Sequence, residues 1–291
     1  MYKSTCNGSS ENQTCSITKV NKKVKPIEVY SFLDPVCPEC WGLEPITKKL
    51  AIEYGDYLTI RPLIGVKMGD VKLLDKKLTA IKWGKTASLT GMSCDDKVLK
   101  ESPPSPLRAA LAVKAAELQG RLAGQRFLRI LQERLFLAQQ DINDEGTILG
   151  CAEAAKLDLE EFKRDLASIG PIKAFQCDRK MTSEMEVKEI PTLVFFNIEN
   201  DEEGIKIAGL YSYDVYVHVL TEMLGSTPTP KKPPEITAFL RDYHFIATKE
   251  LAVVYDMDEQ EAERELKKLQ LKQLVEAVPV KYGTFWRYIG D

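Results

Sequence analysis

The chain has 291 residues, 44% hydrophobic and 29% charged, with 40 basic against 43 acidic residues and a formal net charge of −3. That balance excludes a basic nucleic-acid footprint over the whole chain, and no apolar run approaches the roughly 18 residues of a membrane span. The length accommodates two domains, and the composition is ordinary for a soluble globular protein.

The first 25 residues are polar and end in the basic cluster Lys19, Lys22, Lys23 and Lys25. They read as a flexible tail without the apolar core of a secretion signal, so a cytoplasmic protein is expected. The seven cysteines are an odd number with no scaffold spacing, which predicts mostly free thiols. Cys6 and Cys15 lie in the tail. They are weak metal candidates, because two thiols with no nearby histidine supply half a zinc site. No metal or cofactor is expected.

Ile27-Glu28-Val29-Tyr30-Ser31 reads as a strand. Leu43, Ile46, Leu50 and Tyr54 then recur at helical spacing. Cys37-Pro38-Glu39-Cys40 therefore falls where a strand ends and a helix begins, the C-x-x-C placement of thioredoxin-like folds. Pro38 suits a first helical position. A helix N-terminus favours a thiolate at Cys37, and Cys40 is the matching resolving thiol. Glu39 sets an anion between them and opposes that thiolate. The helix is expected to run to about Tyr54 with a kink at Pro45. A second strand is expected over residues 57–62, followed by a Leu- and Lys-rich region holding Trp83 and Cys94.

From about residue 103 to 170 the pattern is helical and interrupts the thioredoxin order. One stripe is Leu107, Ala110, Leu111, Ala115 and Leu118; another is Phe127, Ile130, Leu131 and Leu135. Asp158 and Glu161 mark a helix start. Strands resume at residues 192–196 and 204–209, and a helix over 212–224 closes the domain. Ile190-Pro191 precedes the first of these strands, where thioredoxin-like folds carry a cis proline beside a groove for extended peptide. Cys94, Cys151 and Cys177 read as buried small hydrophobes, and His218 as a core or rim residue.

Ser226 to Pro234 is a Pro-rich linker. Beyond it, residues 236–291 give a helix, a helix-turn-helix and a hairpin, the order of a winged-helix-like module. The recognition helix of that helix-turn-helix, with the turn leading into it, carries Asp256, Asp258, Glu259, Glu261, Glu263 and Glu265. Six acids repel a duplex, so a protein-contacting role is expected instead.

Asp34-Pro35-Val36-Cys37-Pro38-Glu39-Cys40-Trp41 resembles the D-P-x-C-P-E-C-W segment of the bacterial YjbH (SpxH) adaptor proteins. Ala116-Glu117-Leu118-Gln119-Gly120 resembles the A-x-x-Q-G region of DsbA- and FrnE-like thioredoxin proteins. The resemblance implies an α/β fold: a DsbA-like domain over residues 26–225, then the linker (226–235) and the C-terminal module. It implies an adaptor that binds the transcription regulator Spx and promotes its degradation by the ClpXP protease through ClpX, with no nucleic acid or membrane partner. Zinc is associated with a His-rich N-terminus in some members. Here the two histidines, His218 and His244, lie far from the tail. Trp41 has two readings, part of a partner groove with Ile190 and Pro191, or packing under the motif. Glu28 resembles a DsbA strand carboxylate able to shuttle a proton if buried, and otherwise reads as a satisfied edge carboxylate. The alternative function is a cytosolic DsbA/FrnE-like thiol–disulfide oxidoreductase.

Overall fold

The computed structural model describes residues 2–3, 18–19, 25–66, 76–199 and 203–290. Cys6 and Cys15 lie outside these residues. A short antiparallel pairing joins β1 (Tyr2–Lys3) to β2 (Thr18–Lys19).

The central sheet begins with β3 (Ile27–Leu33). The helices that follow are α1 (Pro38–Gly42) and α2 (Glu44–Glu53), and then β4 (Leu58–Ile64). The single kinked helix expected from residue 37 to 54 is thus two helices meeting at Leu43. Pro45 lies in the first turn of α2, where its missing N–H is no loss, so the chain restarts a helix instead of bending one. A run of seven helices follows: α3 (Lys76–Thr90), α4 (Lys97–Glu101), α5 (Pro106–Leu118), α6 (Arg121–Phe136), α7 (Glu145–Ala154), α8 (Leu159–Leu166) and α9 (Gly170–Glu184). The helical interruption is therefore longer than the pattern over residues 103–170 indicated. Its extra members at the start include α3, where a lysine-rich sequence obscures the amphipathic period. The sheet resumes with β5 (Thr192–Asn197) and β6 (Ile205–Ala208) and is closed by α10 (Tyr213–Leu224).

Strand order is β4-β3-β5-β6, with β3 parallel to β4 and antiparallel to β5. Alternation along β3 sorts its side chains. Ile27 and Val29 face a core shared with Leu50, Tyr54, Phe195, Tyr216 and Leu220. Phe32 faces the other side, with Leu63, Val187, Val194 and the partly buried Tyr30 and Met181. Two helical layers thus bury both faces of the sheet. The helical block anchors to the end of β4 through a buried lysine. Lys114 pairs with Asp178 and, at 2.7 Å, with Glu117, while Asp178 accepts the Ile64 N–H at 2.8 Å. Gln119 bridges α5 to α8, donating to the Asp158 carbonyl and accepting its N–H, both at 2.8 Å. Among the described residues no helix is long and apolar enough to cross a membrane.

The C-terminal unit comprises α11 (Ile236–Tyr243), β7 (Phe245–Ala247), α12 (Thr248–Val254), α13 (Glu259–Leu271) and the hairpin of β8 (Val275–Pro279) and β9 (Thr284–Tyr288), in sheet order β7-β9-β8. Phe239, Leu240, Leu251, Val254, Leu266 and Trp286 form its core. The linker is strapped down: the Lys231 N–H donates to the Glu53 carbonyl at 2.8 Å, and Tyr255 Oη donates to the Pro234 carbonyl at 2.7 Å.

This unit is docked through a buried carboxylate. Glu250 of α12 is 0% exposed. It accepts from Arg129 Nη1 and Nη2 of α6 at 2.9 and 3.0 Å, from the Ala247 N–H at 2.7 Å, and from Lys48 of α2. Burial alone would raise the Glu250 carboxyl, but Arg129 and Lys48 outweigh it and hold the group at about 2. The folded value lies below the ordinary 4.5, so this carboxylate's stabilisation is present above about pH 4.5 and is lost as pH falls toward 2. Glu250→Gln leaves two buried cations short of an anion and is expected to lower the unfolding free energy by about 3–5 kcal/mol. The drop is read from the urea midpoint, and the variant should lose the wild-type protein's fall in stability between those two pH values.

Candidate functional site

Cys37 is the N-cap of α1, with extended backbone (φ −85°, ψ 121°), and Pro38 takes the first helical position. The Cys37 N–H donates to the Asp34 carbonyl at 3.1 Å, and the Trp41 N–H returns to the Cys37 carbonyl at 3.2 Å. This turn presents Cys37 half-buried and Cys40 buried.

The Cys37 thiol donates to Glu39 Oε2 at 3.2 Å. That bond sets the Glu39 carboxylate directly against the Cys37 sulfur. Thr86 of α3 reaches the other oxygen of Glu39 at 3.4 Å. Cys40 Sγ accepts from the Asp34 N–H at 3.4 Å. Burial, then the neighbouring Cys37, pushes the Cys40 thiol well up. Burial also pushes the Asp34 carboxyl up to about 6, against the pull of its hydrogen bond from the Val36 N–H. Asp34 is thus able to change protonation not far below neutral pH.

The Ile190–Pro191 peptide bond is cis. Phe32 pairs with Thr192 across β3 and β5, so the register puts Pro191 at the end of the sheet from which the cysteine turn emerges. Gly65 keeps this corner open, because a Cβ there would stand 2.9 Å from Ile190 Cδ1. The Pro191 carbonyl is taken by the Gly209 N–H at 2.8 Å.

Other expected residues lie elsewhere. Glu28 accepts from Tyr30 Oη at 2.8 Å and pairs with Arg61. It is five residues before Leu33 on the central strand, about 17 Å along the strand, so it is a satisfied carboxylate remote from the thiols and not on a sheet edge. Trp41 is 0% exposed and offers no surface to a partner groove. Cys94 and Cys151 are buried as expected, but Cys177 is exposed. His218 is exposed too; it lies on the outward side of α10, whose inward side is set by Tyr216, Val219, Leu220 and Met223.

What surrounds Trp41 was not legible in the sequence. Its ring stacks on Phe136 of α6 at 5.8 Å and on Phe285 of β9 at 6.0 Å, the latter within 4° of parallel. The Arg129 guanidinium lies over it at 4.4 Å, and its Nε1 donates to the Ser93 carbonyl at 3.1 Å. The residue next to Cys40 is therefore clamped between the helical block and the C-terminal unit. The available signal was an acid, Glu250, directly abutting the apolar run Leu251 to Val254.

A family model described as thioredoxin matches residues 30–218. The ClpXP adapter protein SpxH of Bacillus licheniformis is 50% identical over 270 residues, covering 92% of this chain and 90% of that protein. Its namesake from Halalkalibacterium halodurans is 46% identical, covering 97% of both chains. Among solved structures, the cytosolic disulfide reductase DsbM of Pseudomonas aeruginosa superposes with a TM-score of 0.51 at 20% identity, over 62% of this chain and 88% of that one.

In the folded protein, iodoacetamide is expected to label Cys37 and to leave Cys40 untouched. Glu39→Gln removes the like charge and should speed Cys37 labelling by about threefold to tenfold at pH 7, a difference of roughly 0.6–1.4 kcal/mol. Site-resolved mass spectrometry measures both.

Proposed function

The chain belongs to the family of ClpXP adapter proteins named SpxH, within the thioredoxin-like proteins, and on that premise we propose that it binds the transcription regulator Spx and presents it to the ClpXP protease. The observation that carries this reading is the identity of 46–50% to adapter proteins over about nine-tenths or more of both chains. It includes the C-terminal unit, which the thioredoxin match over residues 30–218 does not reach.

The geometry supports a binding role over turnover. The Cys37 thiol donates to Glu39, whereas an exchange catalyst works through the thiolate. Trp41 and the helix behind the motif are fixed by Phe285 and Glu250 of another unit, which favours a rigid scaffold. The working place of such an adapter is the cytoplasm, where Spx and ClpXP are met and thiols stay reduced. The acidic α13 disfavours a duplex, so the winged-helix-like order of the C-terminal unit reads as a protein-contacting element.

A second reading keeps some chemistry. Cys37 and Cys40 lie in one helical turn, and the cis Pro191 flanks the same end of the sheet. Oxidation of the pair to a disulfide would release two electrons and two protons to an oxidant such as glutathione disulfide. In this reading the motif reports redox state to the adapter function.

The two readings separate on one variant. Cys37→Ala with Cys40→Ala is expected to support ClpXP degradation of Spx within about twofold of the wild-type rate under reducing conditions, followed by the loss of Spx on gels. A loss of more than tenfold would make thiol chemistry the main activity.

A further inference from the structure

Helix α3 has two unlike faces. Trp83, Thr86 and Ala87 are buried, with Trp83 edge-on to Phe136 at 4.9 Å. On the outward side, Ile81, Lys82, Lys85 and Leu89 recur at helical spacing and are all exposed. Leu89 is 78% exposed and Ile81 54%. The fifteen residues of α3 include four lysines and no acid.

A second element completes this face. Gly84, Lys85, Ser88 and Leu89 line an open depression of about 540 Å³ whose remaining wall is Tyr282, from the turn between β8 and β9. That turn is pinned: the Tyr282 N–H donates to Ser93 Oγ at 3.1 Å, and Lys281 pairs with Asp95 at 3.5 Å and with Asp96. Lys281 is thus neutralised, whereas among the described residues Lys82 and Lys85 meet no acid. Two large aliphatic side chains in water beside two uncompensated cations mark an interaction surface. From Ile81 to Leu89 the stripe is about 12 Å long, the reach of two turns of a partner helix.

We propose that the outward face of α3, with Tyr282, is the docking surface for an amphipathic helix of the delivered protein, with an apolar stripe against Ile81 and Leu89 and acidic residues facing Lys82 and Lys85. This rests on the adapter reading and names the surface it uses. The uncompensated lysines select the acidic partner, and the surface exists only because the C-terminal hairpin supplies its second wall.

The test uses the full chain and purified Spx, with the dissociation constant measured by fluorescence anisotropy. Ile81→Asp with Leu89→Asp, and separately Lys82→Glu with Lys85→Glu, should each weaken binding by about tenfold or more. The thermal midpoint should stay unchanged, since all four side chains are exposed. Wild-type binding should weaken when salt rises from about 0.05 to 0.5 M, and the Lys82→Glu/Lys85→Glu variant should show little of that dependence. Wild-type Spx binding with both variants unaffected overturns the surface while leaving the adapter reading intact. A wild-type dimer that Leu89→Asp dissociates in sedimentation overturns it too, because a second copy then covers the face. Absence of wild-type binding to Spx removes the adapter reading and the surface with it.

Discussion

One buried carboxylate governs how this protein is put together. Glu250 belongs to the C-terminal unit, yet its partners Arg129 and Lys48 belong to the helical block and to the helix behind the cysteine motif. A charge removed from water is tolerable only when paired and fully hydrogen-bonded. Glu250 meets that condition only if three elements from distant parts of the chain arrive together. An apolar contact could slide; this one tolerates little displacement, because each oxygen has assigned donors. The network therefore fixes the angle between the thioredoxin-like domain and its appendage, and it places the guanidinium of Arg129 over Trp41.

The motif is read differently with that constraint in place. A C-x-x-C at a helix N-terminus suggests exchange chemistry, and the backbone here has the required shape. The side chains argue the other way. Glu39 accepts a hydrogen bond from the Cys37 thiol, Cys40 is buried, and Trp41 is immobilised from both sides. The turn keeps its structural place at the end of the central strand, while its surroundings favour a fixed surface over a reactive one.

The sequence made the thioredoxin frame legible because local signals agreed there: a β-branched strand, a proline at a first helical position, and an X-Pro ahead of an apolar strand. The same holds for the hairpin and the acidic helix at the C-terminus. Legibility ended where structure depends on pairings distant in the chain. Trp41 meets Phe285 across 244 positions, and no local pattern states that. Cys177 and His218 were misplaced for a simpler reason. His218 lies between Val217 and Val219, and Cys177 two residues after the buried Phe175; a one-residue step turns a side chain by about 100°, enough to carry it to water. Glu28 shows a third case, a motif resemblance satisfied by an ordinary ion pair with Arg61.

The Trp41–Phe285 stack also bears on how the chain is made. Synthesis proceeds from the N-terminus, so the motif, the sheet and the helical block leave the ribosome before β9 exists. Until then Trp41 lacks one of its two stacked rings. The last strand is the piece that closes the core of the first domain. A messenger truncated shortly before codon 285 would yield a nascent thioredoxin-like domain with an uncovered indole face, a client for chaperones and not a smaller working protein.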